Sequence, residues 1–492
     1  MGMKRKKIRG GYLFRNFKGE PKAQQERIDN PDRIILPLRQ GYGEELEPLV
    51  EPGDFVVPGQ IIGRNDEALC SPIHASLPGK VTEIREFPIA GTKVRSIVIE
   101  TDAQSAANPG DGVHLAGSSP QWSGLDVEKI EELIYLSGVS ALGRGGIPTR
   151  YWSSAIVPPE AEAIVVVGLE DEPLSPSLSV LLPDSRFGDL VDGVKILKKI
   201  MPKASAHLVI DQTRKSLVSS LEQVLKDESV LKLHQMKPKY PFSREEVIVS
   251  RVLGRKYPYG FEAVNIGVVV LSVQDVLHVY DAVARGRPLI ERTIAVGGTG
   301  FAEPKHVVVP VGTPIDFLAA GSLKDDRSYR MVRDSLMTGE KIESKEEPIL
   351  RDSRALYAIP ESTFTGKFSF MKGGVHSDSY SNVFISTGKK DLDTNLHGEE
   401  RACLACSFCA EVCPMELQPN VLHRYVVNEM ISETLINFRV FHCIECNLCT
   451  YVCPSKIPLS EYMGKAKKSL HEEGFAEAAF ADDAQELKGV KG

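Results

Sequence analysis

No run of about 18 uncharged apolar residues occurs in this chain, so it offers no candidate transmembrane helix. Its opening, Met1 to Gly11, is basic but has no apolar segment behind it. Neither a secretory signal nor a twin-arginine leader is expected, and a cytoplasmic location is. Charge of one sign is also missing. The formal net charge is −7, with acidic and basic residues mixed along the sequence. That excludes the basic face of a nucleic-acid binder. Before residue 400 there is a single cysteine, Cys70, which in ALCSPIHAS reads as a small buried hydrophobe. Disulfides are rare in a reducing compartment, so the eight cysteines crowded between Cys403 and Cys453 point to metal.

With 492 residues, 42% of them apolar, the chain has room for several cores. Residues 31 to 100 read as short strands punctuated by glycine and proline: RIILPL, EPGDFVVPGQIIG, ASLPGKVTEI and VRSIVIE. From 125 to 235 helical and buried-strand patterns alternate. DVEKIEELIYLSG, the glycine-rich GRGGIPT, AEAIVVVGL, LVDGVKILKKIM, AHLVI and KSLVSSLEQVLKD predict an α/β unit with a mostly parallel sheet. Residues 236 to 325 are mixed, with VNIGVVVLSV, the helical QDVLHVYDAVARG and KHVVVPVGTPIDFL. Residues 325 to 395 are polar and read as a connector with some structure; the tail after about 465 turns acidic and ends frayed.

One repeat is plain. CLACSFCAEVCP recurs as CIECNLCTYVCP 40 residues later, and LHRYVVNEMISETLINFRV between them predicts an amphipathic helix. C-x-x-C-x-x-C-x-x-x-C-P, twice, is the spacing of bacterial proteins that carry two 4Fe-4S clusters, in which the fourth cysteine of each run reaches the other cluster. Cys403, Cys406, Cys409 and Cys453 are therefore expected to hold one cluster, and Cys443, Cys446, Cys449 and Cys413 the second. Pro414 and Pro454 close the runs. The competing chemistry is structural zinc, which also takes four thiolates. Clusters pass single electrons, so a donor or acceptor, whether flavin, nicotinamide or quinone, has to be sought elsewhere.

Three stretches carry a family resemblance. PLRQGYGEELEPLVEPGDFVVPGQIIGRNDEALCSPIHASLPGKVTEI resembles the barrel-sandwich start of the RnfC component of the Rnf complex. GVVVLSVQDVLHVYDAVARGRPLIERTIAVGG with VPVGTPIDFL resembles its soluble-ligand-binding β-grasp segment, and the paired cysteine runs are similar to its ferredoxin-like domain. MKRKKIRGGYLFRNFKGEP, VVVGLEDEPLSPSLSVLL and GKFSFMKGG lean toward NqrA, a component of the sodium-translocating NADH:quinone reductase. The chain thus looks like a member of the shared RnfC/NqrA family with both clusters. PGDFVVPGQ and SLPGKV also resemble lipoyl and biotinyl carriers, but Lys80 lacks the M-K-M setting and reads as a turn lysine.

The resemblance implies a multidomain α/β and α+β fold. A β-rich barrel-sandwich hybrid domain would span 1–115 and an α/β NADH/FMN-binding-like domain 116–235. A soluble-ligand-binding β-grasp domain over 236–325 and a connector over 326–395 would follow, then a ferredoxin-like helical domain with two 4Fe-4S clusters over 396–470 and a tail over 471–492. It also implies FMN and NADH sites. Gly143, Arg144, Gly145, Gly146 and Thr149 stand where the family has its glycine-rich element, and glycines at such a loop let backbone N–H groups approach phosphate. Glu170, Asp171 and Glu172 stand for the family's acidic nucleotide-binding motif, and Lys239 opens its K-Y-P motif. The sequence departs from the pattern at Ser272-Val273, where the relatives have Asn-Val, and at FSRE after Pro241.

The implied role is an electron-transfer subunit, part of an NADH dehydrogenase-like oxidoreductase. It would relay electrons through its clusters between NADH or ferredoxin and a membrane ion-translocating complex of the Rnf or sodium-pumping quinone-reductase type. The expected partners are the complex's other subunits and NADH, ferredoxin or quinone. Contact with the inner face of the cell membrane would run through those subunits, without insertion. Two other readings remain open: a soluble flavin/iron-sulfur reductase subunit or adaptor feeding a cytoplasmic enzyme, and a non-catalytic docking subunit that holds the clusters.

Overall fold

The structure, a computed structural model, describes residues 10–40, 43–65, 70–89, 91–101, 112–151, 160–226, 228–324, 328–361 and 400–475. The basic Lys4–Arg9 segment, GKFSFMKGG and most of the tail lie outside these residues.

The N-terminal β domain is two small sheets packed face to face. One orders its strands Arg33–Pro37, Thr92–Thr101, Gly79–Ile89 and Phe55–Val56, all antiparallel. The other orders Glu47–Pro48, Ile61–Arg64 and Ile73–His74. Alternate residues of a strand point to opposite faces. Ile34 and Leu36 accordingly join Leu46, Ile62, Ile97 and Ile99 in the core between the sheets, while Ile35 packs with Phe87 and Val98 on the outer side.

The α/β domain is a four-stranded parallel sheet in the order Leu231–Met236, Ser205–Asp211, Ala163–Gly168 and Val268–Ser272. Its strands are buried on both faces, as a parallel sheet covered by helices requires. Ile164 and Val166 meet the helices Val127–Leu136, Phe187–Ile200 and Val273–Arg285, whereas Ala163 and Val165 meet the helix Glu245–Leu253. Asp126 starts the first helix by accepting the Lys129 N–H at 2.7 Å. Ser272 and Asp275 form a reciprocal capping box at the start of Val273–Arg285. The expected boundary at 235 is corrected: Val268–Ser272 pairs with Ala163–Gly168, so this domain reaches to residue 285. Its apolar run of valines suits a strand of a parallel sheet covered by helices.

A five-stranded mixed sheet follows, in the order Gln25–Arg27, Lys305–Pro310, Glu291–Gly297, Ala355–Pro360 and Tyr329–Arg333. Two expectations change here. The connector supplies two of these strands, and Ala355–Pro360 lies parallel to Glu291–Gly297 with Leu356 and Ala358 in the core. Gln25–Arg27, assigned to the first domain, pairs with Lys305–Pro310. Arg351 pins this sheet to the β domain from a buried position, donating to Gln40 O at 2.7 Å and Ser71 O at 3.3 Å.

The C-terminal domain has short helices, Phe408–Val412, Pro419–Val427, Glu433–Asn437 and Leu448–Tyr451, and the longer Leu459–Glu472. The single helix expected between the cysteine runs is two, broken after Val427, with Glu429 at φ 56°. The chain's first described residues fasten onto this domain. The Gly11 N–H donates to Val412 O at 2.8 Å, and a Cβ on Gly10 would lie 2.5 Å from Cys413 O.

Candidate metal centre and adjoining cleft

The eight cysteines of the repeat separate into two sets around two small cavities. Cys403, Cys406, Cys409 and Cys453 line one; Cys413, Cys443, Cys446 and Cys449 line the other. This is the crossed grouping expected from the spacing, in which each run's fourth cysteine serves the other set. The backbone aims donors at the sulfurs: Ala405 N–H to Cys403 Sγ, Glu445 N–H to Cys443 Sγ and Leu417 N–H to Cys413 Sγ, each 3.4 Å. Burial pushes the thiols up, Cys409 and Cys443 to about 11 and Cys446 to about 12. Thiolates in such surroundings need positive charge beside them, which bound iron supplies. Among the described residues no three Cys, His, Asp or Glu side chains close on a single ion. One zinc would draw its sulfurs to about 2.3 Å from a common centre. Two sets of four donors, each around its own space, fit four-iron cubes instead.

A cleft of about 690 Å³ opens between the α/β domain and the second set. Its walls include Arg144, Lys256, Tyr257 and Tyr259 on one side and Glu416, Arg439, Phe441 and Cys443 on the other. Its size is that of a cofactor site. The rings of Tyr259 and Phe441 lie 4.6 Å apart, centroid to centroid. Among the described residues Lys256 and Arg439 have no carboxylate partner; the Arg439 guanidinium reaches only His442 Nε2, at 3.4 Å. Sequence reasoning missed these residues. The signal available was the run KYPYGF at 256–261, aromatic side chains beside a cation and a glycine.

Of the predicted flavin and nucleotide residues, Arg144 alone lines this cleft. Burial works against its charge, but Glu246 and Glu262, at 2.6 and 3.2 Å, hold it above its ordinary value. Gly143, Gly145 and Gly146 all have positive φ. The bare faces of Gly143 and Gly145 are covered by the chain itself: a Cβ on Gly143 would lie 2.8 Å from Leu271 Cδ2, and one on Gly145 2.7 Å from Val264 Cγ1. Thr149 is buried. The acidic motif is committed to protein partners. Glu170 pairs with Arg214 and accepts the Leu178 N–H at the start of a short helix. Asp171 is buried, accepts the Ser243 N–H at 2.7 Å and is pushed up to about 7 by burial. Burial also raises Glu172, against a Ser335 hydroxyl and Arg354. Lys239 lies outside the cleft. Its neighbour Tyr240 is fully buried and donates to Cys446 O at 2.9 Å, so the K-Y-P motif is a strut between domains. Gly143 and Gly145 thus face packed side chains, and the loop meets the cleft through Arg144.

Sequence comparison finds three family models along the chain. Residues 6–104 match the RnfC barrel sandwich hybrid domain, 134–281 the Nuo51 FMN-binding domain and 402–457 the 4Fe-4S dicluster domain. Fold and sulfur sets thus define a multidomain electron-transfer protein that joins an FMN-binding domain to a dicluster domain. Within that class the chain is similar to RnfC subunits. It is 27% identical to the C component of the proton-translocating ferredoxin:NAD(+) oxidoreductase complex of Clostridium ljungdahlii, covering 80% of this chain and 78% of that one. The C component of the Na(+)-translocating ferredoxin:NAD(+) oxidoreductase complex of Acetobacterium woodii is 24% identical, over 81% and 82%. The C component of the ion-translocating oxidoreductase complex of Cronobacter sakazakii is 28% identical over 81% of this chain, which spans 47% of that longer relative.

Proposed function

We propose that this chain is a peripheral electron-transfer subunit of an ion-translocating membrane oxidoreductase, relaying electrons between NADH or ferredoxin and membrane partners. The observation that carries the reading is the pair of four-sulfur sets, one at the wall of a flavin-sized cleft. The relatives, named as subunits of ferredoxin:NAD(+) oxidoreductase complexes, support it. Cys403, Cys406, Cys409 and Cys453 hold the outer cluster; Cys413, Cys443, Cys446 and Cys449 hold the inner one.

FMN, the group the matched domain is named for, belongs in the cleft on this reading. Lys256 and Arg439 answer its phosphate, and the rings of Tyr257, Tyr259 and Phe441 cover its apolar surface. When bound, a flavin converts a two-electron hydride into single electrons that clusters can take. Gly143, Gly145, Gly146 and Thr149 shape the wall that presents Arg144, while Glu170, Asp171, Glu172 and Lys239 brace the domain contacts. The five-stranded sheet serves as the β-grasp unit, with its strands drawn from 25–27 and 291–360. Among the described residues no helix is long and apolar enough to cross a membrane. Docking at the inner face then runs through partner subunits, with quinone reduction, if any, on those partners.

Two experiments test the reading. Native membranes are washed with high salt and then treated with mild detergent; recovery with integral membrane subunits is expected, and recovery solely with a cytoplasmic enzyme would replace it by the soluble-reductase reading. FMN is titrated into the anaerobic chain: Lys256→Ala with Arg439→Ala is expected to weaken binding at least tenfold while Glu170→Gln leaves it unchanged. The covered glycine faces favour a second reading, a docking subunit without flavin. Failure of the parent chain to take up FMN or oxidise NADH would establish it.

A further inference from the structure

The second half of the cysteine repeat carries an ion pair that the first half lacks. The halves align at an offset of 40 residues, from Cys403 and Cys443 through Pro414 and Pro454 to the helix starts at Pro419 and Leu459. Burial follows the same offset: Leu417 and Ile457, His423 and Met463, and Val426 and Ala466 are buried in both halves. At Glu445 and Lys467 the match fails. Their counterparts are Ala405 and Val427, the latter 53% exposed.

Lys467 sits on the helix Leu459–Glu472, whose buried Met463, Ala466 and Leu470 fix its orientation in the domain. Its ammonium donates to Cys443 O at 3.0 Å and to the Glu445 carboxylate. It also stands 5.3 Å from the centre of the Tyr259 ring, in the wall of the cleft. A cation over an aromatic face is held there by the charge distribution of the ring. The Lys467 side chain is 14% exposed, so solvent screens its charge little. Glu445 is the more exposed partner, and its backbone N–H donates to Cys443 Sγ at 3.4 Å. Burial pushes the Cys443 thiol up, and the ammonium opposes that push more strongly than the Glu445 carboxylate adds to it. Arg244 reaches the same loop, donating to Ile444 O at 3.2 Å, but it lies 3.8 Å from the Glu246 carboxylate, which offsets its charge. Lys467 thus stands where the cleft and the inner sulfur set meet, and it does not line the outer cavity.

Reduction adds a negative charge to a cluster, and cluster potentials follow local charge, hydrogen bonds to sulfur and solvent. A cation beside one cube rather than the other therefore favours reduction of its neighbour. We infer that Lys467 is a positioning residue for electron transfer, acting through Cys443 to favour the reduced form of the inner cluster at the wall of the cleft. The step it assists adds one electron to the inner cube, taken from a reduced flavin or, in the test below, from dithionite, and no bond in the cluster forms or breaks. The inference rests on the cluster assignment proposed above.

The test is a potentiometric dithionite titration of the full, anaerobically prepared chain, followed by electron paramagnetic resonance, with iron and sulfide measured on each sample. The parent chain is expected to show two one-electron steps. Lys467→Gln keeps an N–H donor and removes the charge. It should lower one step by about 59 mV, a tenfold change in that one-electron equilibrium, and leave the other in place. Lys467→Arg should keep both steps where they are, and Glu445→Gln should raise the step that Lys467→Gln lowers. At full iron content, steps that stay fixed, move together or shift the opposite way in Lys467→Gln would overturn the inference. So would an equal drop in Lys467→Arg, which would make packing rather than charge the cause. If Lys467→Gln does not retain its clusters, Glu445→Gln decides: one raised step supports the inference, and an unmoved or lowered one overturns it. A parent chain without roughly eight iron and eight sulfide would instead refute the cluster assignment.

Discussion

The cluster domain and the α/β domain both rely on left-handed backbone, but for opposite ends. In the cluster domain the left-handed positions are held by Ala405, Ser407, Glu445 and Asn447, residues with a Cβ, each unfavourable by about 1–2 kcal/mol. The turns at Ala405 and Glu445 direct N–H groups toward sulfur, where a cluster would hold them. In the glycine loop of the α/β domain the left-handed positions are Gly143, Gly145 and Gly146, and the space where a Cβ would go at Gly143 and Gly145 is taken by Leu271 and Val264. A glycine loop does not by itself mark a ligand, because it can be needed for packing alone.

The largest effect that could break this comparison is loss of a ligand. Cys446→Ser should remove at least half the iron and destabilise the C-terminal domain, since metal binding and folding are coupled. Limited proteolysis should leave the α/β domain intact. Loss of both domains together would mean that the strut from Tyr240 makes them one folding unit.

A few kcal/mol ride on Asp171. Its folded value of about 7 lies above the ordinary 3.8, so the folded chain holds the proton more tightly than the unfolded one. Its contribution is fully present below 3.8 and is lost as pH rises through about 7. Asp171→Asn should therefore raise the thermal midpoint at pH 8 and abolish that slope, with NADH oxidation unchanged. Loss of NADH oxidation at unaltered stability would return the acidic motif to the nucleotide.

Gly143→Ala should cost about 1–3 kcal/mol, the range of an overpacked core. If denaturant unfolding of the α/β domain is unchanged and FMN affinity falls, the loop is a phosphate cradle after all. The smallest effect is expected for the converse change. Ala405→Gly should alter stability by no more than about 1 kcal/mol and leave iron content as it was. Slower cluster loss to a chelator would show that the left-handed turn is strained even with metal bound.

The particular residues divide by the range of the interactions that place them. The three closely spaced cysteines of each run could be read because they are positioned by local covalent geometry, and the crossed fourth cysteine was expected from the doubled spacing of two-cluster proteins. The alternation of strand and helix from Val127 to Leu225 was equally local, a matter of which side chains recur on one face. Lys256 and Arg439 were not readable, since they face each other's domain across 183 residues of sequence and acquire a role from how two domains pack. The same holds for Tyr240, whose hydroxyl finds Cys446, and for Ala355–Pro360, which slots in beside Glu291–Gly297. Motif likeness placed Glu170, Asp171 and Glu172 at a nucleotide; burial and the neighbours Arg214, Ser243 and Ser335 gave them other partners. Sequence by itself determined the metal chemistry and the order of the domains, because both are written in short spacings. The cleft, its unpaired cations and the fate of the acidic motif were decided by tertiary structure, because burial and charge pairing are properties of what the rest of the chain brings alongside.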